Sequence, residues 1–118
     1  MAYQKAIRRP DPRDVAPLLA ALGDGTRREI VERLRRGRRT VGELAERLPV
    51  TRPAVSQHLK VLRDAGIVAE AREGVRHYFS LESAGVDLLR RHFESMWQDV
   101  LLSFANYVKE AERARKSK

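Results

Sequence analysis

The sequence contains no cysteine among its 118 residues. Disulfides, thiolate metal sites, cysteine nucleophiles and thiol-based redox sensing are therefore excluded together. Long apolar runs are also missing, because the longest apolar-leaning stretch, residues 15–22, is far too short to cross a bilayer. The first residues do not form a basic region followed by an apolar core, as a secretory signal would. We therefore expect a cytoplasmic protein without a membrane partner.

Acidic residues are in short supply in the first half of the chain. Residues 1–66 hold 15 lysines and arginines against 8 aspartates and glutamates, whereas residues 67–118 hold 9 against 8. Within residues 33–63, nine basic side chains face only Glu43 and Glu46. Basic charge gathered around one segment is typical of a protein that binds a polyanion. The alternative is an arginine-rich surface that is merely solvated.

The composition predicts one globular domain. With 42% apolar and 34% charged residues, a chain of this length can bury a modest core. Residues 1–10 lack apolar periodicity and are expected to form a flexible N-terminal arm. The domain is expected to occupy residues 11–113, and residues 114–118 to form a frayed tail.

One segment, residues 51–63, has the pattern of an amphipathic helix with a contact face. Val55, Leu59 and Leu62 recur at helical spacing on one side. The other side is polar and carries Arg52, Ser56, Gln57, Lys60 and Arg63. Thr51 is predicted to cap the helix, and Gly66 to end it. A lone helix of this kind could simply be solvated, so its interpretation depends on its neighbours.

Three helices are predicted before this segment. The first begins at Asp11 and Pro12 and has an apolar stripe formed by Val15, Leu18, Leu19 and Leu22. The second is capped by Asp24. The third begins with the capping-box pair Thr40 and Glu43 and ends at Pro49. The short connection that follows predicts a helix-turn-helix over about residues 40–65, whose second helix would enter a DNA major groove.

The hydrophobic period changes from 3.6 to 2 after Gly66, which predicts a β-hairpin over about residues 67–81. The turn is expected at Glu73 and Gly74, with one face formed by Val75, His77, Phe79 and Leu81. Basic residues flank the turn on both sides. A basic hairpin after a helix-turn-helix predicts a wing that lies along the DNA phosphate backbone or an adjacent minor groove. We expect His77 to be a packed or hydrogen-bonded strand residue rather than a metal ligand.

A long final helix is predicted over about residues 84–113, capped by Ser83. At ~1.5 Å per residue it would measure about 45 Å, longer than the body of a domain this size. Its apolar stripe, which includes Trp97 and Phe104, would lie in water in a monomer, so we expect an interface there. The alternative is that the helix folds back entirely onto its own domain.

These elements and two sequence segments carry a family resemblance. The segments are residues 22–30, Leu-Gly-Asp-Gly-Thr-Arg-Arg-Glu-Ile, and residues 55–66, which contain Ser-Gln-His-Leu and end in Asp-Ala-Gly. Over about residues 14–108 the chain resembles the ArsR/SmtB family of bacterial winged-helix repressors. The resemblance implies a homodimer joined by the first and last helices, an operator of two inverted half-sites, and repression of transcription. Gly25 departs from the proline expected at that position.

Metal-sensing members of the family carry paired cysteines on the helix before the recognition helix, where this chain has residues 43–48, Glu-Leu-Ala-Glu-Arg-Leu. The chain therefore resembles the branch without metal inducers, and no metal or other cofactor is predicted. His92 with Asp87 or Glu94 lacks the spacing of a second metal site. The residues identify no small-molecule effector, although one could lodge between the first and last helices near Trp97.

We predict three sets of functional residues. Base edges are expected to be read by Arg52, Ser56 and Gln57, since glutamine pairs well with adenine and arginine with guanine. Phosphate contacts are expected from Arg39, Thr51, Lys60, Arg63, Arg72 and Arg76. The dimer interface is expected to contain Val15, Leu18, Leu19, Leu22, Phe93, Met96, Trp97, Val100 and Phe104.

Two competing functions follow from the same residues. Positive charge alone would suit a sequence-indifferent, architectural DNA-coating protein, but such a protein does not need a helix-turn-helix. Enzymatic activity is disfavoured because Ser56 and His58 are two residues apart on a helix and do not face each other. We therefore predict a sequence-specific DNA-binding regulator that is not an enzyme.

Overall fold

The computed structural model describes residues 14–117, which form five helices and one hairpin. The order is α1 (Ala16–Ala21), α2 (Gly25–Leu34), α3 (Val41–Glu46), α4 (Arg52–Ala65), β1 (Val68–Glu73), β2 (Arg76–Leu81) and α5 (Ser83–Lys116). The fold is mainly α with a small hairpin, as predicted. The expected arm over residues 1–10, together with Asp11 and Pro12, lies outside the described residues. None of the helices between residues 14 and 117 is long and apolar enough to cross a bilayer.

Short-range side-chain chemistry starts the helices where the sequence predicts. Asp24, Thr40 and Thr51 each accept a hydrogen bond from the backbone N–H three residues further on, at 3.0, 3.2 and 3.3 Å. The Glu43 carboxylate in turn accepts a hydrogen bond from the backbone N–H of Thr40, which completes the predicted capping box. Gly66, with φ of 95°, ends α4 in the left-handed region.

Helix α4 lies at the centre of the fold, in contact with α1, α2, α3 and β1. Its predicted apolar face is confirmed, because Val55, Leu59 and Leu62 are at most 1% exposed. A single core surrounds them and consists of Leu18, Ala21, Ile30, Leu34, Leu44, Leu48, Val55, Leu59, Leu62, Ile67, Val68 and Phe79. The polar face of α4 is therefore turned outward.

The first helix is shorter than predicted. Residues 14 and 15 are not helical, and α1 begins at Ala16, whose N–H donates to the Asp14 carboxylate at 2.9 Å. Leu18 is 1% exposed and belongs to the chain's own core, whereas its neighbour Leu19 is 37% exposed. Leu18, which is predicted for the dimer interface, is thus buried within its own chain, where the inner side of α1 packs on α4.

Two turns also differ from the prediction. Helix α3 ends at Glu46 rather than at Pro49, because a residue that precedes proline is displaced from helical geometry. The turn of the hairpin consists of Gly74 and Val75, since Glu73 pairs with Arg76. Val75 is accordingly 95% exposed and does not belong to the inner face of the hairpin.

Helix α5 differs at both of its ends. Ser83 is its first residue rather than its cap, and the cap position is taken by Glu82, whose N–H donates to the Ile67 carbonyl at 2.8 Å. Residues 114–116 are helical rather than frayed, helped by an ion pair of 3.1 Å between Arg115 and Glu112. The helix has 34 residues and extends the molecule to 75 Å along its longest axis.

Candidate DNA interface

The outer face of α4 is accessible along its whole length. Arg52, Ser56, Gln57, Lys60 and Arg63 are all exposed, as the sequence predicts for a face that contacts a polar partner. The five-residue connection over residues 47–51 sets α4 across α3, and α3 itself is buried through Leu44. The core therefore fixes the orientation of the helix that carries the predicted base-reading side chains.

A groove of about 410 Å³ separates α4 from the hairpin. Its α4 side is formed by Ser56, Gln57, Lys60 and Arg63, and the hairpin contributes Glu70, His77 and Phe79. Two predicted base readers and two predicted phosphate ligands thus line one groove. The third reader, Arg52, lines a neighbouring hollow of about 540 Å³ together with Arg76.

Arg52 rests on the backbone of α3. A Cβ atom at Gly42 would lie only 3.0 Å from the Nη2 atom of Arg52, so the missing side chain makes room for the guanidinium. The hydroxyl of Thr51 is already engaged in capping α4. Arg39 lies apart from the readers, in a hollow between α2 and α3, and its backbone pairs with Phe79 at the edge of β2.

The hairpin directs its two predicted anchors to opposite sides. Arg72 pairs with His77, on the same face as Glu70, whereas Arg76 pairs with Glu73 on the other face. The two arginines therefore do not form one continuous cationic edge. Arg72 points to the side of the hairpin that borders the α4 groove.

Two carboxylates of β1, one on each face of the hairpin, pair with side chains of other elements. Glu70 accepts from Arg63 Nη1 at 2.7 Å and lies 2.9 Å from His77 Nδ1. Its pKa is lowered by the hydrogen bond with His77 and by Arg63. This bond also agrees with the prediction that His77 is a hydrogen-bonded strand residue. Arg63, predicted as a phosphate ligand, is therefore already paired within the chain.

The opposite face of the hairpin is held by Arg38. Its guanidinium donates twice to Glu73, at 2.7 and 3.0 Å, and stacks 4.0 Å from the centre of the Tyr78 ring. The paired guanidinium lowers the pKa of Glu73. The alternation of side chains along β1 is a sequence signal that places Glu70 and Glu73 on opposite faces. Their partners Arg63 and Arg38 are distant in the sequence and come close only in the folded chain.

Histidines do not gather into a metal site in the part of the chain that the structure describes. His58, expected to support the turn, is half-buried between α4 and the start of α2, 3.9 Å from the Asp24 carboxylate. Across residues 14–117, no three histidine or carboxylate side chains converge as metal ligands would.

A second exposed surface lies on α5. We call it the α5 stripe, and it consists of Phe93, Met96, Trp97, Val100 and Phe104, each between 51% and 64% exposed. These residues are five of the nine predicted for the dimer interface. Of the four residues predicted for the interface in and beside α1, Leu19 alone is exposed, because Leu18 is buried and Val15 and Leu22 pack against the core. The alternative in which α5 folds back onto its own domain is wrong.

A helix-turn-helix followed by a two-stranded hairpin, with an exposed polar helix face beside the hairpin, defines a winged helix-turn-helix DNA-binding protein. Residues 24–70 match the profile of bacterial regulatory proteins of the arsR family. The HTH-type transcriptional regulator Rv2034 of Mycobacterium tuberculosis is 49% identical over 88 residues, which cover 75% of this chain and 82% of the relative. The chain belongs to the arsR family. It is a DNA-binding transcriptional regulator and not an enzyme.

Other relatives and solved structures agree with this membership. The transcriptional repressor SdpR of Bacillus subtilis is 36% identical over 63 residues, covering 53% of this chain and 70% of the relative. An ArsR-like transcriptional regulator from Rhodococcus sp. RHA1 superposes with a TM-score of 0.63 at 31% identity, covering 76% of this chain and 88% of that one. A possible transcriptional regulator for arsenical resistance superposes with a TM-score of 0.62 at 39% identity, covering 72% and 92%.

Proposed function

We propose that the protein is a cytoplasmic repressor that binds an inverted-repeat operator as a homodimer. The observation that carries the proposal is the pair of exposed surfaces: the polar face of α4 beside the hairpin, and the α5 stripe. The first suits duplex DNA and the second suits another copy of the chain. Relatives that are named transcriptional repressors support the direction of regulation.

The DNA contacts divide into two kinds. Arg52, Ser56 and Gln57 read base edges, because they occupy the outward face of a helix held by the core. Phosphates are contacted by Arg39, Thr51, Lys60, Arg63, Arg72 and Arg76. Lys60 and Arg63 line the same groove as two of the readers, whereas Arg39 lies further away and would reach a flanking phosphate. The phosphate contacts position the protein, and the base contacts select the sequence.

The homodimer follows from the size of the uncovered apolar surface. The α5 stripe, continued by Leu101, Tyr107 and Val108, is too large for an isolated monomer in water. A second copy of α5 has the same stripe and can cover it by two-fold symmetry, with Leu19 of α1 at the margin. Such a dimer would place two α4 helices about one DNA turn apart, ~34 Å.

Selection of bound sequences from a random pool of duplex DNA tests the proposal. The expected result is an inverted repeat whose half-sites are about one helical turn apart, about 10 base pairs. An unrelated collection of sequences would overturn the proposal in favour of the DNA-coating alternative.

Two substitutions then separate reading from anchoring. Gln57→Ala should relax the preference at one operator position by ~1–3 kcal/mol, because a bidentate base contact is lost. Arg76→Ala should weaken binding to all sequences alike and flatten the dependence of affinity on salt. Equal losses on operator and random DNA for Gln57→Ala would reject the assignment of Gln57 as a reader.

A further inference from the structure

Glu70 is an acidic side chain within the groove that faces DNA in the proposed function. A carboxylate at this place repels every phosphate backbone, so it lowers affinity for DNA in general. Its surroundings are otherwise basic, with Lys60 and Arg63 on the α4 side of the groove. The contacts of Glu70 show what this acidic side chain does within a basic groove.

The carboxylate of Glu70 uses both of its oxygens. Oε1 accepts from Arg63 Nη1 at 2.7 Å, and Oε2 lies 2.9 Å from His77 Nδ1. One side chain thus joins α4, β1 and β2. The side chain of Glu70 is only 27% exposed, against 43% for Arg63 and 39% for His77, so the acid lies beneath its two partners.

The backbone beneath Glu70 is anchored in the core. Glu70 stands opposite Phe79 in the hairpin register, and the Phe79 side chain is buried. The backbone of Phe79 also exchanges two hydrogen bonds with Arg39, at 2.8 and 2.9 Å. Because the hairpin is fixed to the core at this point, the bond from Arg63 to Glu70 also fixes the position of Arg63 relative to the core.

We propose that Glu70 is a positioning residue for sequence discrimination: it orients Arg63 and joins the hairpin to α4, raising selectivity while lowering total affinity for DNA. This inference rests on the proposed function. A guanidinium has five N–H donors, and a bond of one of them to Glu70 fixes the directions of the others. Fixed phosphate contacts set the register in which α4 meets the bases. Without the bond to Glu70, the Arg63 side chain could adjust to contact phosphates equally well on any DNA sequence.

The test compares Glu70→Gln with the matched control Glu73→Gln, which removes the same charge from the opposite face of the hairpin. Dissociation constants are measured on the selected operator and on random duplex of equal length, over a series of salt concentrations. Both variants should bind random DNA more tightly. Only Glu70→Gln should lower the ratio of operator to random affinity, by about tenfold, because the glutamine oxygen can still accept from Arg63 but no longer carries a charge that strengthens the bond.

A double-mutant cycle shows whether Glu70 acts through Arg63. In an Arg63→Ala background, Glu70→Gln should leave the ratio unchanged. Arg63→Lys, which keeps the charge but loses the planar fork, should lower the ratio as Glu70→Gln does. Circular dichroism and thermal unfolding of every variant confirm that the compared proteins are folded.

Three results would overturn the inference. The ratio could survive Glu70→Gln. Both affinities could fall together with thermal stability, which would show a structural role alone. Glu70→Gln could still lower the ratio of operator to random affinity in the Arg63→Ala background, with the lost preference confined to one base pair of the operator. That result would show that Glu70 itself contacts a base. A wild-type protein without sequence preference would instead overturn the proposed function, on which this inference rests.

Discussion

Helices α4 and α5 are both amphipathic, but their apolar faces have opposite surroundings. The apolar residues of α4 are at most 1% exposed, at the centre of the core. Those of the α5 stripe are more than half exposed. The chain therefore contains two kinds of apolar stripe, one that folds the single chain and one that the single chain leaves uncovered.

Length explains the difference. Helix α4 has 14 residues and is surrounded by three helices and β1, whereas α5 has 34 residues. At ~1.5 Å per residue, α5 measures about 51 Å and extends beyond the body. Only its start, around Gly85, Leu88 and Leu89, packs against the core. The proposed homodimer would cover the part of the stripe that extends beyond the body.

The largest expected effect is on the α5 stripe. Trp97→Ala should weaken the dimer by about 4–6 kcal/mol, because a two-fold interface loses two buried indoles at about 2–3 kcal/mol each. The dimer dissociation constant should rise at least about a thousandfold. Analytical ultracentrifugation over a range of concentrations measures it.

Leu102→Ala is the matched control for Trp97→Ala. Leu102 is 63% exposed, like Trp97 at 58%, but it lies on the opposite side of α5. Its removal should leave the dimer intact. Equal dimer dissociation constants for the wild type and Trp97→Ala would contradict the proposal that the α5 stripe, unlike the apolar face of α4, binds a second copy of the chain.

The next effect is on the buried face of α4. Leu59→Ala should lower the free energy of unfolding by about 2–5 kcal/mol. The substitution leaves a cavity in the core, and the surrounding side chains relax only partly into it. Urea unfolding followed by circular dichroism measures the change at one fixed protein concentration. A loss below about 0.5 kcal/mol, the size expected for a surface substitution, would mean that α4 is not the centre of the core.

The junction between the two regions should give an intermediate effect. A Cβ atom at Gly85 would overlap the carbonyl oxygen of Gly66, so α5 approaches the end of α4 by backbone contact. Gly85→Ala should cost about 1–3 kcal/mol of unfolding free energy through overpacking. The control is Gly25→Ala, where an added Cβ meets only the end of Arg28 at 3.8 Å. A neutral Gly85→Ala would mean that the start of α5 moves away from Gly66 without cost.

Features that depend on neighbouring residues in the chain could be predicted from the sequence. The capping box of Thr40 and Glu43 needs only three residues of separation, and the buried face of α4 follows from its own period. A winged fold could be predicted because hydrophobic periodicity distinguishes its helices from its strands, although several elements end a few residues away from the predicted position. The order of the elements also showed that the hairpin directly follows α4 in the chain.

Features that depend on packing between elements could not be predicted. Leu18 and Leu19 are adjacent leucines in a six-residue helix, too short for a period to show which of them faces α4. The pairing of Arg63 with Glu70 depends on how the hairpin lies against α4. Gly85 had no sequence signal, because the carbonyl that it meets lies in another element.

The smallest expected effect concerns the hairpin, where Glu73 and Arg38 form an exposed ion pair of 2.7 Å. The pKa of Glu73 is lowered from its ordinary value of 4.5, chiefly by the hydrogen bond from Arg38. A depressed carboxyl pKa stabilises the folded state above 4.5, and that contribution is lost as the pH falls through the folded-state value. Glu73→Gln should therefore lower the thermal midpoint slightly at pH 7.

The difference between wild type and Glu73→Gln should disappear in acid, because both side chains are then neutral. Thermal unfolding at pH 7, 5, 4 and 3 measures it, with 1 M salt as a second condition that screens an exposed pair. A difference that does not shrink as the pH falls would show that the amide changes packing rather than charge. Arg38 joins the α2–α3 connection to the hairpin, as does the backbone bridge between Arg39 and Phe79. A small effect of Glu73→Gln would show that this bridge and the buried Phe79 side chain contribute more to holding the wing than the ion pair does.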